Sequence, residues 1–200
     1  MFDSVEDTIN AIKAGEIVVL TDNEDRENEG DLVMAGCFAT PEKINFMLQY
    51  GRGVLCVPVD HETGKRLSLK VPEGNHDPRG TAFTQTLDAI EGNTTGVSAS
   101  DRCNTILTMV DPDSCASDFY TPGHINPLLG VAGGVLARDG HTEGILELVR
   151  LAGLPPVGVL IEILNPDGTM ARVPQLEVFC REHNLRLCSI EKIIAYLKQR

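Results

Sequence analysis

Ten residues from Asp22 to Asp31, DNEDRENEGD, carry six carboxylates and a single cation, Arg26. Apolar runs, EIVVL before the segment and LVMAG after it, predict a strand on either side. Carboxylates at this density repel one another unless cations neutralise them. The segment is therefore either a solvated acidic turn or part of a metal site. The flanking strands fix both of its ends and weaken the first alternative, but the rest of the chain has to decide.

A second segment with chemical potential is Arg138–Gly144, RDGHTEG, which follows a predicted strand and opens a predicted helix. A helix N-terminus presents unpaired N–H groups and a positive dipole end, which suit a phosphate group. Arg138 adds a guanidinium fork and Thr142 a hydroxyl donor. His141 could bind a divalent ion or move protons. The alternative, equally open, is that Thr142 is an ordinary helix cap and His141 a surface residue.

Three further side chains stand out by their surroundings. His124 follows Pro122 and Gly123 in a proline-rich segment, although a single loop histidine is usually only exposed. Glu162 lies inside the apolar run VGVLIEIL, where an unpaired charge costs several kcal/mol, so it is a metal ligand, a catalytic group or part of an ion pair. Cys56 lies inside GVLCVPV, and a buried cysteine is most often part of the core.

Together these groups favour metal-assisted chemistry on a small phosphorylated molecule. The candidate ligands are mainly oxygen with an imidazole, a set that fits Mg²⁺ or Mn²⁺. The calcium-hand pattern does not fit, because Arg26 stands where a ligand is required. Spacing alone does not fix the reaction.

Composition narrows the class of protein. The chain has 200 residues, 42% of them hydrophobic, no Trp and a net charge of −12, which predicts an aliphatic core and argues against nucleic-acid binding. The first ten residues resemble no signal peptide, and no apolar run approaches the ~20 residues that span a membrane. The six cysteines form no CxxC pair, which indicates reduced thiols and a cytoplasmic location.

The strands and helices that must position these groups alternate without a regular strand–helix–strand repeat. This order favours a mixed α/β (α+β) sandwich over a doubly wound sheet. Segments 60–80 and 111–130 are predicted to be long irregular loops and candidate lids. Predicted strands are 16–22, 31–39, 53–59, 82–89, 133–138, 157–164, 169–173 and 186–189. Predicted helices begin near residues 4, 40, 100, 142, 174 and 189, with Ser4, Thr40, Thr142 and Ser189 as caps.

Seven segments occur in the order expected of one family: EDRENEGDL, TAFTQTLDA, TTGVSASDR, PGHINPL, GGVLARDGHTE, the strand carrying Glu162, and DGTMAR. The chain thus resembles 3,4-dihydroxy-2-butanone 4-phosphate synthase of riboflavin biosynthesis over essentially its whole length, as a single domain from 1 to 200. The resemblance implies a lyase that converts D-ribulose 5-phosphate to formate and L-3,4-dihydroxy-2-butanone 4-phosphate through a metal-stabilised enediolate. It also implies Mg²⁺ or Mn²⁺, two ions with substrate bound, a three-layer α-β-α sandwich with a mixed sheet, and a homodimer with active sites at or near the interface.

The resemblance assigns roles to individual residues. Glu27 and His141 would bind the metal, and His124, Glu162, Asp31 and Cys56 would serve catalysis. The residues that would line the substrate are Arg26, Glu27, Asp31, Arg138, Asp139, Gly140, His141, Thr142 and Glu162, with Arg138 and Thr142 towards the phosphate.

The chain departs from the family pattern at Asn23, Asn126, Leu129 and Gly144, where Asp, an apolar residue, a basic residue and Ala are usual. These departures leave open a catalytically weakened homologue that only binds sugar phosphate. A different sugar-phosphate isomerase or epimerase that uses the same enediolate is a third alternative. Because the C-terminal segment resembles the end of the first domain in fusions with GTP cyclohydrolase II, the chain is also a candidate for an excised part of such a protein.

Overall fold

A computed structural model describes residues 2–74 and 77–199. Its described strands are β1 (Val18–Thr21), β2 (Gly30–Ala35), β3 (Cys56–Val59), β4 (Leu87–Ala89), β5 (Phe119–Leu129), β6 (Gly158–Glu162) and β7 (Arg186–Ser189). The α-helices are α1 (Val5–Lys13), α2 (Pro41–Gly51), α3 (His61–Arg66), α4 (Ala99–Val110), α5 (His141–Leu151), α6 (Val173–His183) and α7 (Ile190–Lys198).

The strands form one mixed sheet in the order β4-β5-β3-β6-β2-β1-β7. The pairs β1–β7 and β3–β5 are parallel, and the remaining pairs are antiparallel. In the β2–β6 pair Asp31 lies directly opposite Glu162. The register of the sheet therefore brings together two acidic residues that are far apart along the chain.

Successive residues of the central strands pack into opposite layers. Val19 and Leu32 join a cluster with buried residues of α2, α4 and α6, whereas Val18 and Leu20 join a second cluster with residues of α1, α5 and α7. The sheet thus separates two helical layers, which confirms the predicted three-layer α-β-α sandwich. The largest fully buried side chains are Ile, Leu and Met, so the core is aliphatic as expected.

Several helix starts were predictable from their caps. The side chains of Ser4, Thr40 and Ser189 each accept a hydrogen bond from the backbone N–H three residues on. The predicted cap Thr142 is wrong: Gly140 is the N-cap of α5, and Thr142 is the second residue of the helix. The Thr142 side chain is therefore free of a capping role.

The prediction of a loop at 111–130 is also wrong, because most of that segment is β5. The β4–β5 register shifts between Leu87, which pairs with Ile125, and Asp88, which pairs with Tyr120. Residues 121–124 therefore lie in an irregularity of the ladder, where a proline costs little because no ladder N–H is needed.

Other boundaries differ for local reasons. A short 3-10 helix, Gly134–Leu136, replaces the strand predicted at 133–138, because Gly133 and Gly134 have positive φ of 91° and 57°, which a strand does not allow. Segment 60–80 begins with α3 rather than an irregular loop, and its residues 75–76 lie outside the described ranges. The strands predicted at 53–59 and 82–89 are shorter, and 169–173 has only an isolated bridge to the sheet.

Candidate active site

The acidic segment between β1 and β2 is a structured loop built around Asp22. One carboxylate oxygen of Asp22 accepts hydrogen bonds from the Glu27 N–H and from Arg26 Nη1, both at 2.9 Å. The other accepts from the Glu29 N–H at 2.9 Å. Asp22 is 7% exposed. The segment is therefore not a solvated turn, and Asp22, which the sequence left without a role, shapes it.

A distant arginine holds the same loop from outside. Arg172, next to the start of α6, donates from Nη1 to the carbonyl oxygen of Glu27 at 2.8 Å and to that of Asn28. Asn28 has a positive φ of 56°, so these bonds stabilise an unfavourable backbone conformation. Sequence reasoning assigned no role to Arg172, although it ends the DGTMAR segment.

The helix α5 brings His141 to this loop. His141 is buried, with Nδ1 3.7 Å from Glu27 Oε2 and Nε2 3.8 Å from Asp31 Oδ1. Ligand atoms of Asp22, Glu27 and His141 all lie within 4.8 Å of one another. The structure therefore brings together the two metal ligands that the resemblance implies. Asp22 is also within reach, but its oxygens already accept bonds from the loop.

These distances perturb the titration of the cluster. The neighbouring His141 imidazole, together with Arg26, lowers the pKa of Glu27 to about 2. Burial raises the pKa of Asp31 to about 7. Burial alone would lower the pKa of His141, but the neighbouring carboxylates, Asp31 first, outweigh it and raise that pKa to about 9.

A cavity of about 160 Å³ opens between the acidic loop, α5 and the ends of β2 and β6. Two residues implied to contact substrate do not line it. Asp139 is exposed, with Oδ1 3.8 Å from Arg26 Nε, and Gly140 caps α5. The lining includes the other residues expected to bind substrate or metal, and also Cys56: Arg26, Glu27, Asp31, Cys56, Arg138, His141, Thr142 and Glu162. Glu29 and Thr81, which the sequence left without a role, line it as well.

Glu162 is fixed at the end of β6 by the neighbouring turn. Its Oε2 accepts a hydrogen bond from the Val54 N–H at 2.7 Å. A Cβ at Gly53 would lie 2.3 Å from that same oxygen, so the Glu162 carboxylate fits only because residue 53 has no side chain. Next to this carboxylate, burial, Glu162 and Asp31 raise the pKa of the Cys56 thiol, which is therefore neutral at physiological pH.

Arg138 faces the cavity, but its nitrogens already bind protein groups. Nη1 contacts Glu143 Oε2 at 2.5 Å, Nη2 donates to Thr81 Oγ1 at 2.9 Å, and Nε donates to the Arg79 carbonyl oxygen at 3.1 Å. Arg138 thus fastens residues 79–81 beside the start of α5. Its orientation towards a phosphate stays a prediction.

His124 is the one predicted catalytic residue that lies away from this cavity in the described structure. Its Nδ1 is 2.6 Å from Asp88 Oδ2, and its backbone N–H donates to Asp88 Oδ1 at 2.9 Å. The His124 side chain is 44% exposed. The pair with Asp88 directs Nε2 of the imidazole away from the carboxylate.

The four departures from the family pattern lie outside the cavity lining. Asn23 accepts a bond from the Asp25 N–H, and Asn126 donates to the Leu55 carbonyl oxygen. Leu129 packs against the first core cluster. A Cβ at Gly144 would meet Leu20 Cδ2 at 2.8 Å. None of the four removes a group from the site.

Two buried polar atoms of the site are suited to binding a cation or to holding its ligands in place. Asp31 Oδ1 and His141 Nε2 have no hydrogen-bond partner among the described residues. Oxygen donors with one imidazole suit Mg²⁺ or Mn²⁺. The fold and the site together define an α/β protein with a buried cluster of side chains that can hold a metal ion.

Comparison with known proteins makes the class specific. The sequence model of the family "3,4-dihydroxy-2-butanone 4-phosphate synthase" matches residues 6–196, and the chain belongs to this family. A solved structure of a 3,4-dihydroxy-2-butanone 4-phosphate synthase in complex with two magnesium ions superposes with a TM-score of 0.95 at 41% identity, covering 99% of this chain and 98% of that one.

Longer relatives align over the whole chain. Riboflavin biosynthesis protein RibBA of Aquifex aeolicus is 49% identical over 202 residues, which cover 100% of this chain and 50% of that protein. The probable bifunctional riboflavin biosynthesis protein RIBA 2, chloroplastic, of Oryza sativa subsp. japonica is 48% identical and is covered to 36%. The chain spans half or less of the length of these curated relatives.

Among the described helices, none is long and apolar enough to cross a membrane.

Proposed function

We propose that the chain converts D-ribulose 5-phosphate to L-3,4-dihydroxy-2-butanone 4-phosphate and formate, as a lyase of riboflavin biosynthesis. The observation that carries the proposal is the convergence of Glu27, His141, Asp31 and Glu162 on one cavity in a chain of this family. Because the curated relatives are longer, the proposal concerns this chain as a single synthase domain and leaves the activity of a longer protein open.

Glu27 and His141 would hold a Mg²⁺ or Mn²⁺ ion, with Asp22 beside them. When bound, the ion supplies Lewis-acid stabilisation of an enediolate. Asp31, whose Oδ1 lies 3.8 Å from His141 Nε2, would orient the imidazole from the side of β2. The solved structure with two magnesium ions supports a stoichiometry of two.

The chain's own acids would move the protons. Asp31 has a pKa of about 7 and can both take and release a proton at neutral pH. Glu162, on the neighbouring strand, is held in place by Val54 and faces the same cavity. Cys56 is a neutral thiol next to both carboxyl groups and suits a weak donor role towards the sugar. Arg138 and Thr142 would face the phosphate at the start of α5.

We further propose a homodimer. His124 is half-exposed and does not line the cavity of its own chain. Its predicted role in proton transfer therefore requires that it act on the site of a second copy. The expected lack of nucleic-acid partners and the cytoplasmic location stay predictions from the sequence, and the rice relative is named as chloroplastic.

The test is formate release from ribulose 5-phosphate with Mg²⁺ or Mn²⁺. Glu27→Gln and His141→Ala should each abolish metal-dependent turnover and leave the circular-dichroism spectrum unchanged, because each removes a ligand. Glu24→Gln is the matched control: it removes an exposed carboxylate of the same loop and should retain activity. Full activity in either ligand variant would refute the ligand assignment. Substrate binding without formate would support a non-catalytic homologue, and a new pentose phosphate without formate an isomerase.

A further inference from the structure

Arg26 lies inside the proposed metal cluster rather than beside it. Its side chain is 10% exposed, with Nη1 2.9 Å from Asp22 Oδ2 and 2.5 Å from Glu27 Oε2. On the outer side its Nε is 3.8 Å from Asp139 Oδ1. The guanidinium therefore bridges two buried or half-buried carboxylates and has a third, exposed carboxylate within reach.

The same two carboxylates belong to the group that can hold a metal ion. A guanidinium and a divalent cation repel each other, and in a poorly solvated site this repulsion is weakly screened. Both cannot hold the same oxygens of Asp22 and Glu27. An ion that takes these oxygens together with His141 therefore displaces Nη1 from them.

We propose that Arg26 is an internal cation that competes with the divalent metal for Asp22 and Glu27, and that metal binding releases its guanidinium. This inference rests on the metal site of the proposed function. The Asp139 carboxylate, already close to Nε, can receive the released group. Arg26 also lines the cavity, so its released charge is available to an anionic substrate. Metal binding and substrate binding then favour each other, because both stabilise the conformation in which the Arg26 guanidinium is released.

The competition is tested by Mn²⁺ binding to the whole protein without substrate, measured by calorimetry and by the electron-paramagnetic resonance signal of free Mn²⁺. Arg26→Gln should bind Mn²⁺ at least tenfold more tightly than the original chain, because the competing cation is gone. Arg138→Gln is the matched control: it removes a second cavity arginine, which pairs with Glu143 instead, and should change the affinity by less than threefold. Equal or weaker Mn²⁺ binding by Arg26→Gln, or an equal gain in Arg138→Gln, would overturn the competition.

A second variant tests the release of the guanidinium while Arg26 itself is retained. Asp139 is exposed, so Asp139→Asn should fold normally. It removes the group that receives the released guanidinium and should weaken Mn²⁺ binding severalfold in the original chain. In the Arg26→Gln background it should have almost no effect, whereas a purely through-space charge effect would appear in both. Absence of Mn²⁺ binding in the original chain would refute the metal site itself, while binding without these differences would refute only the role of Arg26.

Discussion

Gly53 offers a direct test of how Glu162 is positioned. In Gly53→Ala the new methyl group would lie 2.3 Å from Glu162 Oε2 and 2.9 Å from both the Cβ and the carbonyl oxygen of Glu162. The backbone contacts cannot yield easily, so the carboxylate has to turn away from its 2.7 Å hydrogen bond with the Val54 N–H. Glu162 would then leave the position in which it faces the cavity.

The magnitude follows from that hydrogen bond. A bond to a charged group contributes about 1.5–3 kcal/mol, which corresponds to a factor of about 10–150 in a rate or an equilibrium. If Glu162 transfers a proton during turnover, kcat for formate release should fall at least tenfold. Overpacking should cost a further ~1–3 kcal/mol of the free energy of unfolding. Metal-dependent formate release and thermal unfolding measure the two effects separately.

Gly51→Ala, two residues earlier at the end of α2, is the control. Its added Cβ would lie 2.7 Å from Ile161 Cγ2, a side-chain methyl of the apolar core, and 3.1 Å from the backbone carbonyl oxygen of Glu162, and none of its three nearest atoms belongs to the Glu162 carboxylate. It should therefore lower the melting temperature without a comparable loss of kcat. The reasoning fails if Gly53→Ala keeps kcat within threefold of the original chain, or if Gly51→Ala loses as much activity.

Two further predictions concern pH. His141 has a pKa of about 9 and must be neutral to bind a metal, so each bound Mn²⁺ should release about one proton at pH 7.5. For the same reason Mn²⁺ affinity should rise from pH 6 towards pH 9. Calorimetry in two buffers of different ionisation enthalpy measures the released protons, and the absence of release would contradict the prediction. The hydrogen bond from the Thr94 side chain, with backbone bonds from 94–96, lowers the pKa of Asp101 to about 2, so Asp101 stabilises the fold above about pH 4 and loses that effect as pH falls towards 2. Asp101→Asn should therefore be less stable than the original chain in urea at pH 7, with a difference that shrinks below pH 4; a difference independent of pH would refute this assignment.

The sequence predicted the groups of the site better than their geometry. Residue types marked the acidic loop and His141 as candidates but left a solvated turn and a surface histidine open, and the family resemblance assigned their roles. The register that sets Asp31 opposite Glu162 was not predictable, since strand pairing depends on contacts across the whole chain. Asp22 was missed as an organiser because two of its three partners are backbone N–H groups, which leave no trace in the residue types.

The wrong prediction at 111–130 arose because residue types were weighed without their tertiary pairing. Prolines and glycines argue for a loop when each is considered alone. In β5 the four residues 121–124 fall where the ladder with β4 is interrupted, so Pro122 and Gly123 do not break it. Gly123 is moreover required there, because a Cβ would lie 2.2 Å from the backbone carbon of Leu87. The rule that proline and glycine interrupt a strand failed here, because β5 does not pair with β4 at these residues.

The bond from Arg172 to the acidic loop also has a consequence for folding. Arg172 and Glu27 are 145 positions apart in the chain, so the contact between them closes a long loop. Closing this loop costs conformational entropy, and the contact forms only when these two distant segments come together. During synthesis β1, the acidic loop and β2 emerge well before the guanidinium that fixes the loop backbone. The most highly charged part of the chain therefore takes its final shape late, and a nascent chain shorter than 172 residues carries its carboxylates without this restraint.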